Sequence, residues 1–342
     1  MRALQIVEYG EPLVTADLAD PVAGPGEIVV SIRAAGICRS DVHYRAGTRP
    51  VPERPLVPGH EVAGIVADAG PGVEGPMVGD RVCLHYLVSC GTCEACRRGA
   101  EQFCATGEMI GLDRQGGYAE QIVVPARNAF VVPDAVSLSA AAVMMCSTST
   151  SYHALQRGRL QTGETVAVFG CGGLGASAIQ LAAALGAFEV YAVDVNPVKL
   201  AAATTQGAIP VHAGEADPVA QILDFTGGRG VDVALELVGL PLTMEQSIAS
   251  LAPRGRAVAV GLTHEGFSLN AYRDLVQREA EAIGSADHLA SEIPILLEMA
   301  RRGTLEFSGV ITAEVALEQG AVEAALVELE GFGDEVRTVI VS

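Results

Sequence analysis

Tryptophan is absent from the sequence, and aromatic residues make up only 4% of it. Lysine is almost absent: of 22 basic residues, Lys199 is the only lysine. Acidic residues number 41, which leaves a net charge of −19. Such a surface lacks the basic footprint that nucleic acids or anionic membranes require, so neither is an expected partner. The acidic excess is read as a source of solubility. No apolar run reaches the roughly 18 residues of a membrane-spanning helix. Residues 1–10 include Glu8 and no apolar block, so no export signal is expected and a cytoplasmic setting is the default. There is no internal repeat and no low-complexity stretch.

Apolar residues are plentiful, at 49% of 342. Single domains run to ~100–200 residues, so two are expected. The first of them reads as short strands and turns, with strands at Ile28 to Arg33 and Val62 to Val66 and dense Gly–Pro punctuation. Near residue 150 the texture changes. Thr165 to Phe169 reads as a buried strand, and Gly173 to Leu185 as an alanine-rich helix stopped by Gly186. A strand from Glu189 to Val193 ends at Asp194; then Asn196 caps a helix with Pro197 at its first position and Gly207 at its end. Ile209 to His212, Val231 to Leu235 and Ala257 to Leu262 read as further strands. This alternation predicts an α/β fold with a doubly wound parallel sheet. A helix from Pro294 to Arg302, another from Leu317 to Leu329 and a strand from Val336 to Val341 should return to the first domain. The expected domains are therefore 148–285, a Rossmann dinucleotide-binding domain, and a mainly β domain built from 1–147 and 286–342.

Four of the eight cysteines, Cys90, Cys93, Cys96 and Cys104, have the spacing C-x2-C-x2-C-x7-C. In a reducing compartment, clustered thiols bind metal more readily than they pair. Four thiolates suit tetrahedral zinc and leave no position for substrate, so the role would be structural. Arg97 and Arg98 lie inside the loop to offset the negative charge. An iron–sulfur cluster is the rival, but its common run has a shorter last gap and a following proline, where this chain has Ala105.

Gly170, Gly172 and Gly175 complete a G-x-G-x-x-G turn, with Gly173 and Leu174 between, that follows a strand and opens a helix. That context suits a dinucleotide pyrophosphate on the helix N-terminus. Asp194, at the end of the next strand, suits a carboxylate gripping the adenosine ribose diol, which favours NAD; a helix-cap role is the alternative.

Cys38, His60 and Cys146 form a second candidate set. Cys38 sits in GICRSDVH, His60 in PGHE beside Glu61, and Cys146 before STSTSY. With GHE at 59–61, the four-cysteine lobe, GGYAE at 116–120 and GCGGLG at 170–175, the whole chain resembles the zinc-containing medium-chain alcohol dehydrogenase family. The resemblance implies a GroES-like catalytic domain beside the Rossmann domain, two zinc ions per chain, NAD, and a small alcohol, aldehyde or ketone as substrate. It implies a homotetramer, with a homodimer as the alternative.

The resemblance also implies that Cys38, His60 and Cys146 ligate the catalytic zinc. This set is recognised from the family and not deduced from spacing. Glu61 is either an alternate ligand and outer partner or an ordinary buried ion pair. Asp41 matches the carboxylate that holds the ligand histidine. Zinc would acidify a bound alcohol, which then gives hydride to the nicotinamide. Ser40 stands beside Cys38 to take the proton, and His43 can pass it to solvent. The resemblance adds that the cofactor's ribose hydroxyl bridges these two. It carries over Lys199 to the adenosine ribose, Arg39 and Arg337 to the pyrophosphate, Thr150 and Leu174 to the nicotinamide ring, and Val260 and Gly261 to the carboxamide through their backbone. Arg337 reads equally as a surface residue. Cys83 and Cys171 read as packing residues, and His85 and Tyr86 fall either in the pocket or in a turn.

The leading function is an NAD-dependent alcohol dehydrogenase. The alternatives are a same-fold dehydrogenase of a larger hydroxyl substrate, a hydroxyacyl thioester or polyol, and a zinc- and nucleotide-binding sensor without turnover. A sensor needs no proton exit, so Ser40 and His43 argue for an enzyme. Polyol dehydrogenases of the family tend to a carboxylate as third ligand, so Cys146 argues for a simple alcohol.

Overall fold

The computed structural model describes residues 1–331 and 333–342. The chain separates into two compact units, Met1–Ser149 with Leu289–Ser342, and Thr150–His288. The expected junctions lay after residues 147 and 285.

The first unit is organised by a seven-stranded sheet among the described residues. Its order is Ala313–Ala316, Thr338–Val341, Glu27–Gly36, Glu61–Ala69, Arg81–Leu84, Ala129–Val131, with Gln121–Pro125 also on Glu27–Gly36. Alternate residues of neighbouring strands, among them Ile28, Val30, Ile32, Val62, Val66, Val82, Leu84, Ile122 and Val124, point into one core. Val322, Leu326 and Ile340 join that core, which anchors the C-terminal segment to this unit. The strand Glu27–Gly36 runs past the expected Ile28–Arg33 because it pairs with three neighbours along its length. The last helix begins at Gln319, two residues later than expected, because Ala313–Ala316 just before it is a strand that alternation in four residues did not announce.

The second unit is a six-stranded parallel sheet in the order Ile209–His212, Glu189–Asp194, Thr165–Phe169, Val231–Glu236, Leu251–Ala259, Glu281–Gly284. This is the doubly wound order, whose ligand crevice lies beyond the carboxyl ends of the strands. Local signals act as read. Asn196 accepts hydrogen bonds from the Val198 and Lys199 amides, and Pro197 opens the helix that follows. Gly186 has φ +92°, beyond the end of the helix Gly173–Ala184. One strand was misplaced: the structure has Leu251–Ala259, not 257–262. Beyond Ala259 the Val260 and Gly261 amides turn away to the Glu236 carbonyl, at 3.0 Å each. The edge strand Glu281–Gly284 was not expected; it buries no side chain and so carries no apolar alternation. No helix among the described residues is long and apolar enough to cross a membrane.

Candidate metal centres and cofactor site

The four-cysteine lobe has no core of its own. The helix Glu94–Arg97 and the turn Glu101–Phe103 bury no side chain, and the two-residue strands Leu87–Val88 and Glu108–Met109 close its base. The sulfurs converge: Cys93 to Cys96 is 3.5 Å, Cys93 to Cys104 3.9 Å, and Cys90 to Cys96 4.0 Å. A tetrahedron with ~2.3 Å zinc–sulfur bonds has edges of about 3.8 Å, and none of these four cysteines is in a disulfide. Backbone amides also aim at the sulfurs, Thr92 and Cys93 at Cys90 and Cys90 at Cys104. The Thr92 amide, followed by its hydroxyl and the Cys93 amide, holds the Cys90 thiol down at about 5, which favours the thiolate that a metal needs. The spacing thus folds into a zinc-ready cage. Arg98 also pairs with exposed Glu94 at 2.9 Å.

Because no buried side chain can replace the metal as the lobe's crosslink, Cys93→Ala is expected to lower Tm and open the 88–109 segment to protease. Limited proteolysis with mass spectrometry checks this, and an unchanged cleavage pattern would contradict a structural role.

The second donor set is buried. Cys38 precedes the helix Arg39–Ala46, and its amide donates to Asp41 Oδ2 at 2.9 Å. His60 stands immediately before the strand Glu61–Ala69. Cys146 lies in a π-helical stretch, Met144–Thr148, a widened turn of the kind often found at functional sites. The Cys38 and Cys146 sulfurs lie 3.9 Å apart across 108 residues of sequence. Ligand atoms of Cys38, His60, Glu61 and Cys146 all fall within 4.8 Å of one another.

Partners around this set are specific. Asp41 faces His60 Nδ1 at 3.7 Å, beyond hydrogen-bond reach, while its oxygens take the Cys38 amide, the Tyr118 hydroxyl at 2.9 Å and the Gly59 amide at 3.3 Å. Glu61 Oε1 accepts from Arg337 Nη2, and its Oε2 has no hydrogen-bond partner. Glu61 thus makes a buried ion pair, and one of its carboxylate oxygens also falls within the donor group. Arg337 is not a surface residue; it is 4% exposed and also donates to the Ile37 carbonyl at 3.0 Å. Tyr86 meets the His60 ring edge-on at 5.2 Å, and burial pushes neighbouring His85 down to about 4.

The buried cysteines differ in thiol acidity. The hydrogen bond with Cys146 holds Cys38 well below the usual thiol range against the cost of burial, with Arg337 and His60 helping. Burial instead pushes Cys83 up to about 12 and raises Cys171 as well. Burial would depress His60, yet Asp41 and Cys38 carry it up to about 10. Two thiols, an imidazole and a carboxylate with one oxygen left unpartnered, buried together, fit a divalent cation.

Ser40 Oγ lies 3.8 Å from the Cys38 sulfur, and His43 stands one turn further along the same helix. His43 Nδ1 is 3.1 Å from the Thr48 hydroxyl, a partner not expected from the sequence. Arg39 Nη1 donates to the Leu329 carbonyl at 2.9 Å.

In the second unit, the helix Gly173–Ala184 opens at Gly172 with no side-chain cap, so its first amides are left for a ligand. A side chain on Gly175 would overlap the Gly170 carbonyl, while the space around Gly172 is open. That is a cradle shaped for a pyrophosphate. Asp194 does not cap the next helix. Its Oδ2 accepts the Cys171 amide at 2.7 Å and its Oδ1 the Asn196 amide at 2.9 Å, so it ties the glycine turn to the following helix. Lys199 is half-buried, and its charge reaches Cys171. Thr150 is buried, and Ser151 holds the Leu174 carbonyl at 2.8 Å.

A doubly wound sheet, an uncapped glycine turn and two converging thiolate sets define a zinc-dependent dehydrogenase, an oxidoreductase acting on CH–OH groups. Residues 24–134 match the alcohol dehydrogenase GroES-like domain, and residues 173–302 match the zinc-binding dehydrogenase domain. The chain is 33% identical, over all of both chains, to an NAD-dependent alcohol dehydrogenase of Sulfurisphaera tokodaii. It is also 33% identical to a sorbitol dehydrogenase of Bacillus subtilis, over 88% of this chain and 86% of that one. Among solved structures, the alcohol dehydrogenase of Aeropyrum pernix superposes with a TM-score of 0.91 at 32% identity, covering all of both chains. The chain belongs to the zinc-containing alcohol dehydrogenase family of medium-chain dehydrogenases/reductases.

Proposed function

We propose that the protein interconverts an alcohol and its carbonyl compound with NAD(H), the unit Met1–Ser149 with Leu289–Ser342 being catalytic and Thr150–His288 binding the dinucleotide. The observation that carries this reading is the buried convergence of Cys38, His60 and Cys146. Bound zinc supplies Lewis acidity to the substrate oxygen, and bound NAD accepts the hydride. Cys38, His60 and Cys146 would hold that zinc, their two thiolates balancing its charge. Glu61, neutralised by Arg337, is the alternate donor. Cys90, Cys93, Cys96 and Cys104 would hold the second ion. Total metal analysis should find two zinc ions per chain; a value near one, or bound iron, contradicts the assignment.

The alcohol must also lose a proton. Ser40 Oγ accepts it while giving up its own hydroxyl proton, which passes on to a ring nitrogen of His43 and from there to solvent; three residues apart on one helix, the two share a face. Asp41 orients His60 through space at 3.7 Å. The amides opened by Gly170, Gly172, Gly173, Leu174 and Gly175 receive the pyrophosphate, aided by Arg39 and by Arg337, whose Nη2 is already engaged by Glu61. Asp194 and Lys199 hold the adenosine ribose. Thr150 and Leu174 pack on the nicotinamide ring, and the Val260–Gly261 backbone takes its carboxamide.

Ser40→Ala should abolish turnover while NAD binding is nearly kept. His43→Gln should slow alcohol oxidation most below neutral pH, where a basic acceptor matters. Steady-state rates across pH, with NADH titrations, check both; a His43→Gln profile that overlays the wild type removes His43 from the proton path.

A polyol is the second reading of the substrate, favoured by the Glu61 carboxylate within the donor group. NADH formation across primary, secondary, cyclic and aromatic alcohols and polyols separates the two readings. No turnover on any of them would instead favour a zinc- and nucleotide-binding sensor. We further propose a cytoplasmic homotetramer, with a homodimer as the alternative. Two clustered thiol sets shaped for metal support a reducing compartment, and light scattering reads the assembly.

A further inference from the structure

We propose that Glu236 is a positioning residue for the nicotinamide half of the cofactor, its carboxylate locking the turn at 237–239 against the backbone at 260–261. This rests on the reading above that Val260 and Gly261 hold the carboxamide.

The strand Val231–Glu236 ends at Glu236, which is 1% exposed. A buried carboxylate is costly unless several donors compensate it. Here Oε1 alone accepts the Val238 amide at 2.9 Å, the Gly239 amide at 2.8 Å and the Thr243 hydroxyl at 2.7 Å. The same residue's main-chain carbonyl accepts the Val260 and Gly261 amides, at 3.0 Å each. One residue thereby fixes both turns at the carboxyl edge of adjacent strands, where dinucleotides bind in such sheets. The turns are in direct backbone contact. A side chain on Gly261 would overlap the Gly239 amide and lie 2.8 Å from Glu236 Oε2. Gly239 in turn has φ +84° and abuts the Leu262 backbone, so no side chain cushions the junction. The Leu237 amide donates to the Phe169 carbonyl at 3.0 Å, which ties the turn to the strand that leads into the glycine loop. With the amides of 260 and 261 committed to Glu236, the backbone groups left for a carboxamide NH2 are carbonyls. Their placement follows wherever the 237–239 turn holds them. Without the carboxylate, the buried Gly239 amide and the part-buried Val238 amide lose their acceptor, and the turn must shift to regain one.

The test compares dissociation constants for NADH and for ADP-ribose, which lacks the nicotinamide, by calorimetry. Wild type, Glu236→Ala, Glu236→Gln and Gly261→Ala are measured. Glu236→Ala should weaken NADH at least about tenfold and ADP-ribose less than about threefold, given the hydrogen bonds lost. Glu236→Gln keeps an acceptor oxygen but no charge, and should show a smaller NADH-selective loss of about threefold; it carries the test if the alanine variant does not fold. Gly261→Ala should show the same selectivity. If Gly261→Ala is selective and neither Glu236 variant is, the role of Glu236 is overturned. If every variant affects both ligands alike, the carboxamide reading fails. If the wild type binds neither ligand, the cofactor reading fails.

Discussion

Cys146→Ala is expected to yield a folded chain that holds one zinc ion instead of two and has lost alcohol oxidation. The Cys146 sulfur faces Cys38 at 3.9 Å inside a group whose ligand atoms all lie within 4.8 Å. Removing it takes away one of two thiolates, and with it half the charge that balances zinc. Glu61 would replace it only with a carboxylate whose charge is already paired with Arg337, a poorer balance for zinc than a thiolate. Altering the outer partners of a zinc ligand costs about 10- to 100-fold in affinity or activity, so losing a ligand should exceed that range. The fold should survive, because alanine suits a helical turn and the four-cysteine lobe is untouched. Metal analysis after dialysis, kcat/KM and a melting curve read the three parts separately. Two retained zinc ions with full activity would show that the donors at 38, 60 and 146 do not hold the catalytic metal.

Asp194→Gly is expected to erase a preference for NAD over NADP and to weaken both cofactors. NADP carries a phosphate of charge near −2 on the ribose hydroxyl that Asp194 would grip. At ~4 Å each charge pair repels by roughly 1 kcal/mol even at bulk-water screening, so about 2 kcal/mol opposes NADP. Each ~1.4 kcal/mol is tenfold, so a preference of at least about tenfold is expected in the wild type. Val195, Asn196 and Pro197 follow, and none can clamp a phosphate as arginine would. The structure adds a second consequence. Asp194 accepts the Cys171 and Asn196 amides, so glycine there also loosens the pyrophosphate turn and should raise KM for NAD. Measuring kcat/KM with both cofactors for wild type and variant decides this. Equal use of NADP by the wild type would remove Asp194 from the ribose.

Two kinds of feature were legible before any coordinates. The first is chemistry encoded within one turn or loop: the cysteine spacing at 90, 93, 96 and 104, the glycines at 170, 172 and 175, and the Asn196–Pro197 start. Each closes its geometry over a few residues, so spacing alone nearly sets the distances. The second is long apolar patterning, which announced the Thr165–Phe169 and Glu189–Asp194 strands and their helices. Strands that bury no side chain failed. Ala313–Ala316 and Glu281–Gly284 show no buried apolar position, whereas the equally short Ile209–His212 was legible; the π-helical turn at Cys146 leaves no mark in composition.

By itself, then, the sequence determined the doubly wound class, the zinc-ready lobe and the glycine turn, because their interactions are local. Only the tertiary structure decided that the Cys38 and Cys146 sulfurs meet across 108 residues, that Glu61 pairs with Arg337 across 276, and that Tyr118 holds Asp41 across 77. It alone made Glu236 the junction of two turns. Such pairings depend on the path of the whole chain through its sheets, and no local spacing encodes that path.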